Sequence, residues 1–320
     1  MGISAATGQT ISDIAFLLQC PMTGLAVHFD ETGACWSEDA TGQRVAYPIV
    51  AGQPVLVDFD RSILDQEGIS ARLGDSMIGE RSGKRSWLKQ VLLGQNEVAP
   101  GNARALLRHA TKVGGNPVIL IVGGGTLNTG ARELYEAEGA RIVSFDIYAS
   151  AHTDFVADAH AIPLRDGSVH AVWIQAVLEH VLTPSAVADE IWRVLAPGGV
   201  VYAETPFLQP VHEEAYDFTR FTESGHRWLF RRFDLIDSGV VKGPGTVLFQ
   251  AMRYAFGAAV GNRRIGSALA APFFWLRFLD VLADRRHASD CASGVYFLGR
   301  RSERALSPSE MPSFYRGVRR

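Results

Sequence analysis

Val118-Ile119-Leu120-Ile121-Val122, followed at once by Gly123-Gly124-Gly125, constrains this chain more than any other segment. Five consecutive apolar, mostly β-branched residues without alternation require a strand covered on both faces, as in the middle of a parallel sheet. The glycines after it permit a tight turn in which the backbone can approach a ligand. Residues 130–139 read as the next helix and Arg141 to Asp146 as a second strand. Three further strands are expected, ending near Val156 to Ala159, at Ala171 to Gln175 and at Gly199 to Glu204, with helices between them. Helices at Ser86 to Leu93 and Gly101 to Val113 lead in, and Gly294 to Gly299 forms the last strand. Strand, turn and helix in repetition predict an open, doubly wound α/β sheet whose ligand lies at the strands' carboxyl ends.

The rest of the composition narrows the function. With 320 residues there is ample chain for a core, and 31 Lys and Arg against 34 Asp and Glu give a net charge of -3. That balance argues against a nucleic-acid binder that works by neutralising phosphates. Cys20, Cys35 and Cys291 are too few and scattered for a disulfide framework, which fits a reducing, cytoplasmic setting. Met1 to Thr10 lacks the basic start and apolar stretch of a secretory signal. The longest uncharged stretch, Val113 to Ala131, carries six glycines and a proline, so it does not read as a membrane span.

Four parts are expected: a β module over 1–62, a linker with lead-in helices over 63–115, the α/β domain over 116–300 with a helical insertion at 243–293, and a basic tail over 301–320. In the first part, Leu18-Gln19-Cys20-Pro21 and the ending Tyr47-Pro48-Ile49, Gly52-Gln53-Pro54-Val55-Leu56 resemble the small Trm112-like zinc-ribbon family. The metal cysteines of that pattern are incomplete here. Thr23 stands where the second cysteine of a knuckle belongs, and Cys20 and Cys35 alone cannot fill a four-ligand shell. A packed apolar mini-core in place of zinc, and no metal site, is the expectation.

Gly123-x-Gly125-x-x-Asn128 lacks the third glycine of the dinucleotide fingerprint, which disfavours a nicotinamide or flavin enzyme. Three later segments are more telling: Asp158-Ala159-His160-Ala161-Ile162-Pro163-Leu164-Arg165-Asp166-Gly167-Ser168-Val169-His170-Ala171-Val172, then Leu178-Glu179-His180-Val181, then Arg193-Val194-Leu195-Ala196-Pro197-Gly198-Gly199. In this order they resemble a class I S-adenosylmethionine-dependent methyltransferase of the type 11 group, from about Asn116 to Val241. The resemblance implies a seven-stranded Rossmann-like sheet and S-adenosylmethionine as cofactor. It places Gly123 and Gly125 beside the methionine moiety, Asp146 at the ribose, Asp158 and Ala159 beside the adenine, and Gln175 under the sulfonium. The chain departs from the pattern at Ile121, where the family usually carries an acid, and at Leu127, where it carries a glycine.

Methyl transfer is an in-line displacement, so positioning supplies much of the catalysis and a base is needed only for an acceptor that loses a proton. His212 and His180 are the candidates, with Tyr216 and Arg220 as acceptor-binding residues. Against this, Asp217 and Arg220 have the spacing of a helical ion pair, Phe218 and Phe221 read as core, and Glu179 reads as a cap or ion-pair residue. The insertion carries an apolar face with Phe274, Trp275, Phe278 and Val281, flanked by Arg263-Arg264 and Arg285-Arg286. It reads as a lid or packing surface, with a homodimer contact or a peripheral membrane contact through 263–286 as alternatives. The expected function is methyl transfer to a small-molecule or lipid- or sugar-linked acceptor. The alternative is a non-catalytic protein in which the methyltransferase fold serves as a binding partner or scaffold.

Overall fold

The computed structural model describes residues 10–64 and 96–318. The helix expected at Ser86 to Leu93 lies outside them. The N-terminal part holds strands β1 (His28–Phe29), β2 (Cys35–Glu38) and β3 (Arg44–Tyr47), paired antiparallel in that order. Next come β4 (Ile49–Val50) and β5 (Gln53–Pro54), turned back by Ala51 and Gly52, both in the left-handed region. A 3-10 turn over Ile11–Leu17 precedes them.

Helix α1 (Ala99–Val113) buries Ala99, Ala103, Leu106 and Ala110, one stripe at helical spacing. It is followed by β6 (Val118–Val122), α2 (Thr129–Tyr135), β7 (Arg141–Asp146), β8 (Phe155–Val156), β9 (Val169–Gln175), α3 (Pro184–Val194) and β10 (Leu195–Pro206). The chain continues with α4 (Glu223–Leu229), β11 (Phe233–Lys242), α5 (Pro244–Val260), α6 (Arg263–Ala270), α7 (Arg285–Asp290) and β12 (Gly294–Arg301).

Seven strands form one sheet in the order β11-β12-β10-β9-β6-β7-β8. The pairs β10/β9, β9/β6, β6/β7 and β7/β8 are parallel, and β12 runs antiparallel between β10 and β11. The expected doubly wound, Rossmann-like sheet is therefore present, with a switch point between β6 and β9, where a ligand crevice opens at the carboxyl ends. Strand β11 is the one without a counterpart among the expected strands. Its sequence, Phe233-Asp234-Leu235-Ile236-Asp237-Ser238-Gly239-Val240-Val241-Lys242, belongs to an edge strand that is mostly half-exposed, so it lacks the unbroken apolar run of β6.

The N-terminal part shares a core with the sheet. Ile14, Leu17, Leu18, Cys20, Cys35 and Leu56 are buried in one cluster with Val143, Phe145 and Phe155. Val55 bridges Val156 in parallel, and the Leu56 amide donates to the Val156 carbonyl at 2.8 Å. The module thus covers the edge that the two-residue strand β8 would leave open. Burial pushes the Cys35 thiol up to about 12.

The insertion has its own small core of Phe249, Ala270 and Leu276. Helices α5 and α6 touch where Gly257 faces Gly266, whose Cβ would lie 2.2 Å from the Gly257 nitrogen. The apolar face with Phe274, Trp275, Phe278 and Val281 lies on a 3-10 segment over Ala271–Val281. Asp280 in this segment accepts from the Gly245 and Thr246 amides at 2.7 and 3.2 Å and caps α5. No helix among the described residues is long and apolar enough to cross a membrane.

Candidate active site

The crevice has two sides. On the first, β6 ends in the glycine turn, with Gly123 at φ 76°. A Cβ would lie 2.2 Å from Val177 Cγ2 at Gly123, 1.9 Å from Ser144 Oγ at Gly124 and 2.3 Å from the Tyr148 hydroxyl at Gly125. A Cβ at any of these positions would displace a neighbouring side chain, and at Gly123 it would also strain a left-handed backbone; with glycine the bare backbone faces the end of β7. There Asp146 Oδ2 accepts from the Gly125 amide at 2.8 Å and Oδ1 from the Ile147 amide at 2.7 Å. Each oxygen keeps a lone pair for a further donor. Burial pushes the Asp146 carboxyl up to about 6, against the pull of those two amides.

Asp158, after β8, is buried and engaged on both oxygens. Ser62 of the N-terminal part donates to Oδ2 at 2.5 Å, while Oδ1 lies 2.6 Å from His160 Nδ1. The Thr183 amide donates to His160 Nε2 at 3.1 Å, which places the ring proton on Nδ1, facing Asp158. Ala159 beside it is buried. The Ser62 contact spans 96 residues, and no local pattern announces it. Ile121, the departure from the acid of the family pattern, is buried in the core cluster that holds Trp173 and Tyr202.

The second side lies over β9 and β10. Gln175 at the end of β9 donates to Glu204 Oε2 at 3.2 Å, and its own Oε1 has no partner among the described residues. Glu204 also accepts from Asn96 at 2.8 and 2.9 Å and from the Tyr202 hydroxyl at 2.8 Å. Sequence reasoning passed over this carboxylate; its one signal was an acid ending an otherwise apolar strand. Ala176, next in the chain, takes φ 55°, a left-handed conformation that costs a non-glycine residue about 1–2 kcal/mol.

The loop after β10 folds back over this end because Glu179 O accepts from the Phe218 and Thr219 amides at 2.8 and 3.3 Å. It brings His212 to His180, ring centroids 5.0 Å apart and edge to face. Glu179 lies beneath them, 1% exposed. It neither caps nor pairs in the expected way, for neither carboxylate oxygen has a hydrogen-bond partner among the described residues. Burial pushes its carboxyl up to about 8.

Asp217 and Arg220 pair as expected but in a loop, not on a helix. Arg220 Nη2 donates to Asp217 Oδ2 at 2.7 Å, and Nη1 donates to Oδ1. The remaining donors go to the Gln209, Pro210 and Thr219 carbonyls. Arg220, expected to bind the acceptor, therefore spends its guanidinium on holding its own loop. Tyr216 contributes its carbonyl to His180 Nδ1 at 2.7 Å, while its ring is half-buried. Phe218 is exposed, contrary to the core reading, and Phe221 packs against the main cluster. The insertion reaches the loop through α5, whose Tyr254 hydroxyl donates to the Val211 carbonyl at 2.8 Å.

No curated protein matches the chain in sequence. Among solved structures it is similar to phosphoethanolamine N-methyltransferase 2 of Haemonchus contortus in complex with S-adenosyl-L-methionine (14% identity, 69% of this chain and 57% of that one, TM-score 0.43). It is also similar to geranyl diphosphate C-methyltransferase of Streptomyces coelicolor A3(2) (16% identity, 63% and 75%, TM-score 0.41). Residues 122–203, from the end of β6 through most of β10, match the type 11 family described as a methyltransferase domain. The bare glycine turn and the Asp146 carboxylate with lone pairs to spare fit the family's cofactor. The chain carries a class I S-adenosylmethionine-dependent methyltransferase domain of the type 11 group.

Proposed function

We propose that the acceptor is a small molecule or a lipid- or sugar-linked compound with a hydroxyl-type group, bound on the β9/β10 side of the crevice against Glu179, His180 and His212. S-adenosylmethionine supplies an electrophilic methyl group when bound. The chain's own part divides between the two sides. Gly123, Gly125, Asp146, Asp158, Ala159 and Gln175 hold the cofactor, with Asp146 accepting from ribose hydroxyls. His212 takes the acceptor's proton at Nε2, while Arg220 and Asp217 position the loop that carries it.

The observation that supports this reading is the state of His212. Asp217, whose side chain is fully enclosed, lies 3.2 Å from its Nδ1 without a hydrogen bond between them, close enough to steady the imidazolium once Nε2 has taken a proton. Burial lowers the His212 pKa, the Asp217 carboxylate raises it in part, and the nearby His180 and Arg220 lower it, so the ring is neutral and able to accept. The Trm112-like character of the N-terminal part, the four-part domain division and a cytoplasmic location belong to the same proposal. So does a peripheral contact of 263–286 with an acidic membrane surface, supported by Trp275, Phe278 and Leu282 at 50%, 53% and 81% exposure beside the arginine pairs.

The test is S-adenosylhomocysteine production from the full chain with a panel of hydroxylated, lipid-linked and sugar-linked acceptors. One class should stimulate turnover, and His212→Ala should lower it roughly a hundredfold. Full turnover in His212→Ala on an identified acceptor removes the proposed role.

A further inference from the structure

Glu179 is poorly accommodated. A carboxyl at 1% exposure whose oxygens have no side-chain hydrogen-bond partner among the described residues carries a desolvation cost that its own backbone amide and the Arg220 charge only partly offset. Two imidazoles are turned toward it. His180 Nε2 lies 3.7 Å and His212 Nε2 3.9 Å from Glu179 Oε1, too far for hydrogen bonds. One outer nitrogen is committed. The Tyr216 carbonyl is 2.7 Å from His180 Nδ1 and can only accept, so the proton is there and Nε2 keeps its lone pair; the Asp217 carboxylate stands 3.2 Å from His212 Nδ1 without a hydrogen bond to it. Both Nε2 atoms face the same Glu179 oxygen.

Inward-facing Nε2 atoms with an acceptor beside Nδ1, hydrogen-bonded at His180 and a nearby carboxylate at His212, are the arrangement that metal-binding histidines adopt. We propose that Glu179, His180 and His212 bind a divalent transition ion of the zinc type. One ligand atom from each lies within 4.8 Å of the others. Around a tetrahedral ion with bonds near 2.0–2.1 Å, donor atoms sit about 3.3 Å apart, so the two Glu179–histidine distances need to close by about half an ångström and the widest separation, up to 4.8 Å, by about 1.5 Å, which side-chain rotation can supply. Two histidines and one carboxylate leave a coordination position open, and the rings, at 22% and 27% exposure, leave a path to it. The proposal departs from the expectation of a chain without a metal site, which rests on the N-terminal part.

Ion binding does not depend on the acceptor assignment. Where that assignment holds, a bound ion would ligate the acceptor's oxygen and ease loss of its proton, with His212 as ligand instead of free base.

The experiment uses the full chain stripped with a chelator and titrated with Co²⁺ alone and Zn²⁺ alone, read by calorimetry and by the visible absorption of Co²⁺. The expected result is one equivalent bound, with Co²⁺ bands of nitrogen and oxygen ligation. Glu179→Gln and His212→Ala should each weaken binding roughly a hundredfold or more, beyond what loss of an outer contact costs. The double variant Cys20→Ser/Cys35→Ser should bind as before, and thermal melts establish that each variant is folded. Absence of stoichiometric binding overturns the site, as does binding that survives Glu179→Gln and His212→Ala or is lost in the cysteine variant. If the ion binds but no acceptor is methylated, the acceptor reading falls and the ion site stands; turnover without ion binding gives the reverse.

Discussion

The two sides of the crevice are built on different principles. Over β6–β8, the ligand-facing groups come from turns directly after strands: the glycines follow Val122, Asp146 ends β7 and Asp158 follows Val156. Over β9–β10, the polar cluster is assembled from distant segments, with Glu179 and His180 from one loop and His212 and Asp217 from another more than 30 residues on. The first side is fixed by backbone geometry, which tolerates little. The second is held by side-chain contacts that can be exchanged singly, so the two should fail differently.

The largest effect is expected where they touch. In Gly123→Ala a left-handed residue would also press on Val177, and about 1–2 kcal/mol for the conformation plus about 1–3 kcal/mol for overpacking should appear as lost stability and cofactor affinity. Calorimetry and thermal unfolding measure both. His212→Ala comes next and sharpens the division. Its roughly hundredfold loss of turnover should leave the cofactor's dissociation constant unchanged, and a parallel loss of affinity would show that the sides are coupled. Asp146→Ala should do the opposite, weakening cofactor binding by about 1.5–3 kcal/mol, the worth of hydrogen bonds to a charged group.

A smaller effect is pH-dependent. Asp146 is raised by burial to about 6, and ribose hydroxyls donate to its ionised form. Affinity should therefore be full about a unit or more above pH 6, be roughly halved at pH 6, and fall by about tenfold at pH 5. A flat profile between pH 5 and 8 would place the ribose elsewhere. The smallest is Ser62→Ala, which removes one bond to Asp158 and should cost about 1 kcal/mol of cofactor affinity, since Asp158 keeps His160.

The same contrast explains what was legible in the sequence. Strands β6, β7, β9 and β10 carry runs of apolar residues because both faces are covered, and their turns follow in the next few positions. Asp146 and the glycines could therefore be placed by counting. Glu179 could not be understood that way: its role depends on a loop that returns only through Phe218 and Thr219. The loop contacts of Arg220 could not be foreseen, because a cation beside a crevice looks the same in sequence whether it faces a ligand or its own loop. The 3-10 winding of Ala271–Val281 was hidden because Asp280 is drawn to the start of α5, a contact 34 to 35 residues away in sequence.

The reversed direction of β12 has a consequence for the insertion. Because β11 runs parallel to β10 and β12 runs back between them, the chain leaves the sheet after Lys242 and re-enters at Gly294 at the same end, the end where the crevice opens. Lys242 is paired with Gly294, so the excursion between them is a hairpin loop in which helices have grown. Its two feet are pinned in register, while its length and composition are free. Such a tether can be swapped for a shorter or longer one without shifting a single pair in the sheet, so acceptor preference could be re-tailored by grafting at these two residues while the cofactor side stays untouched.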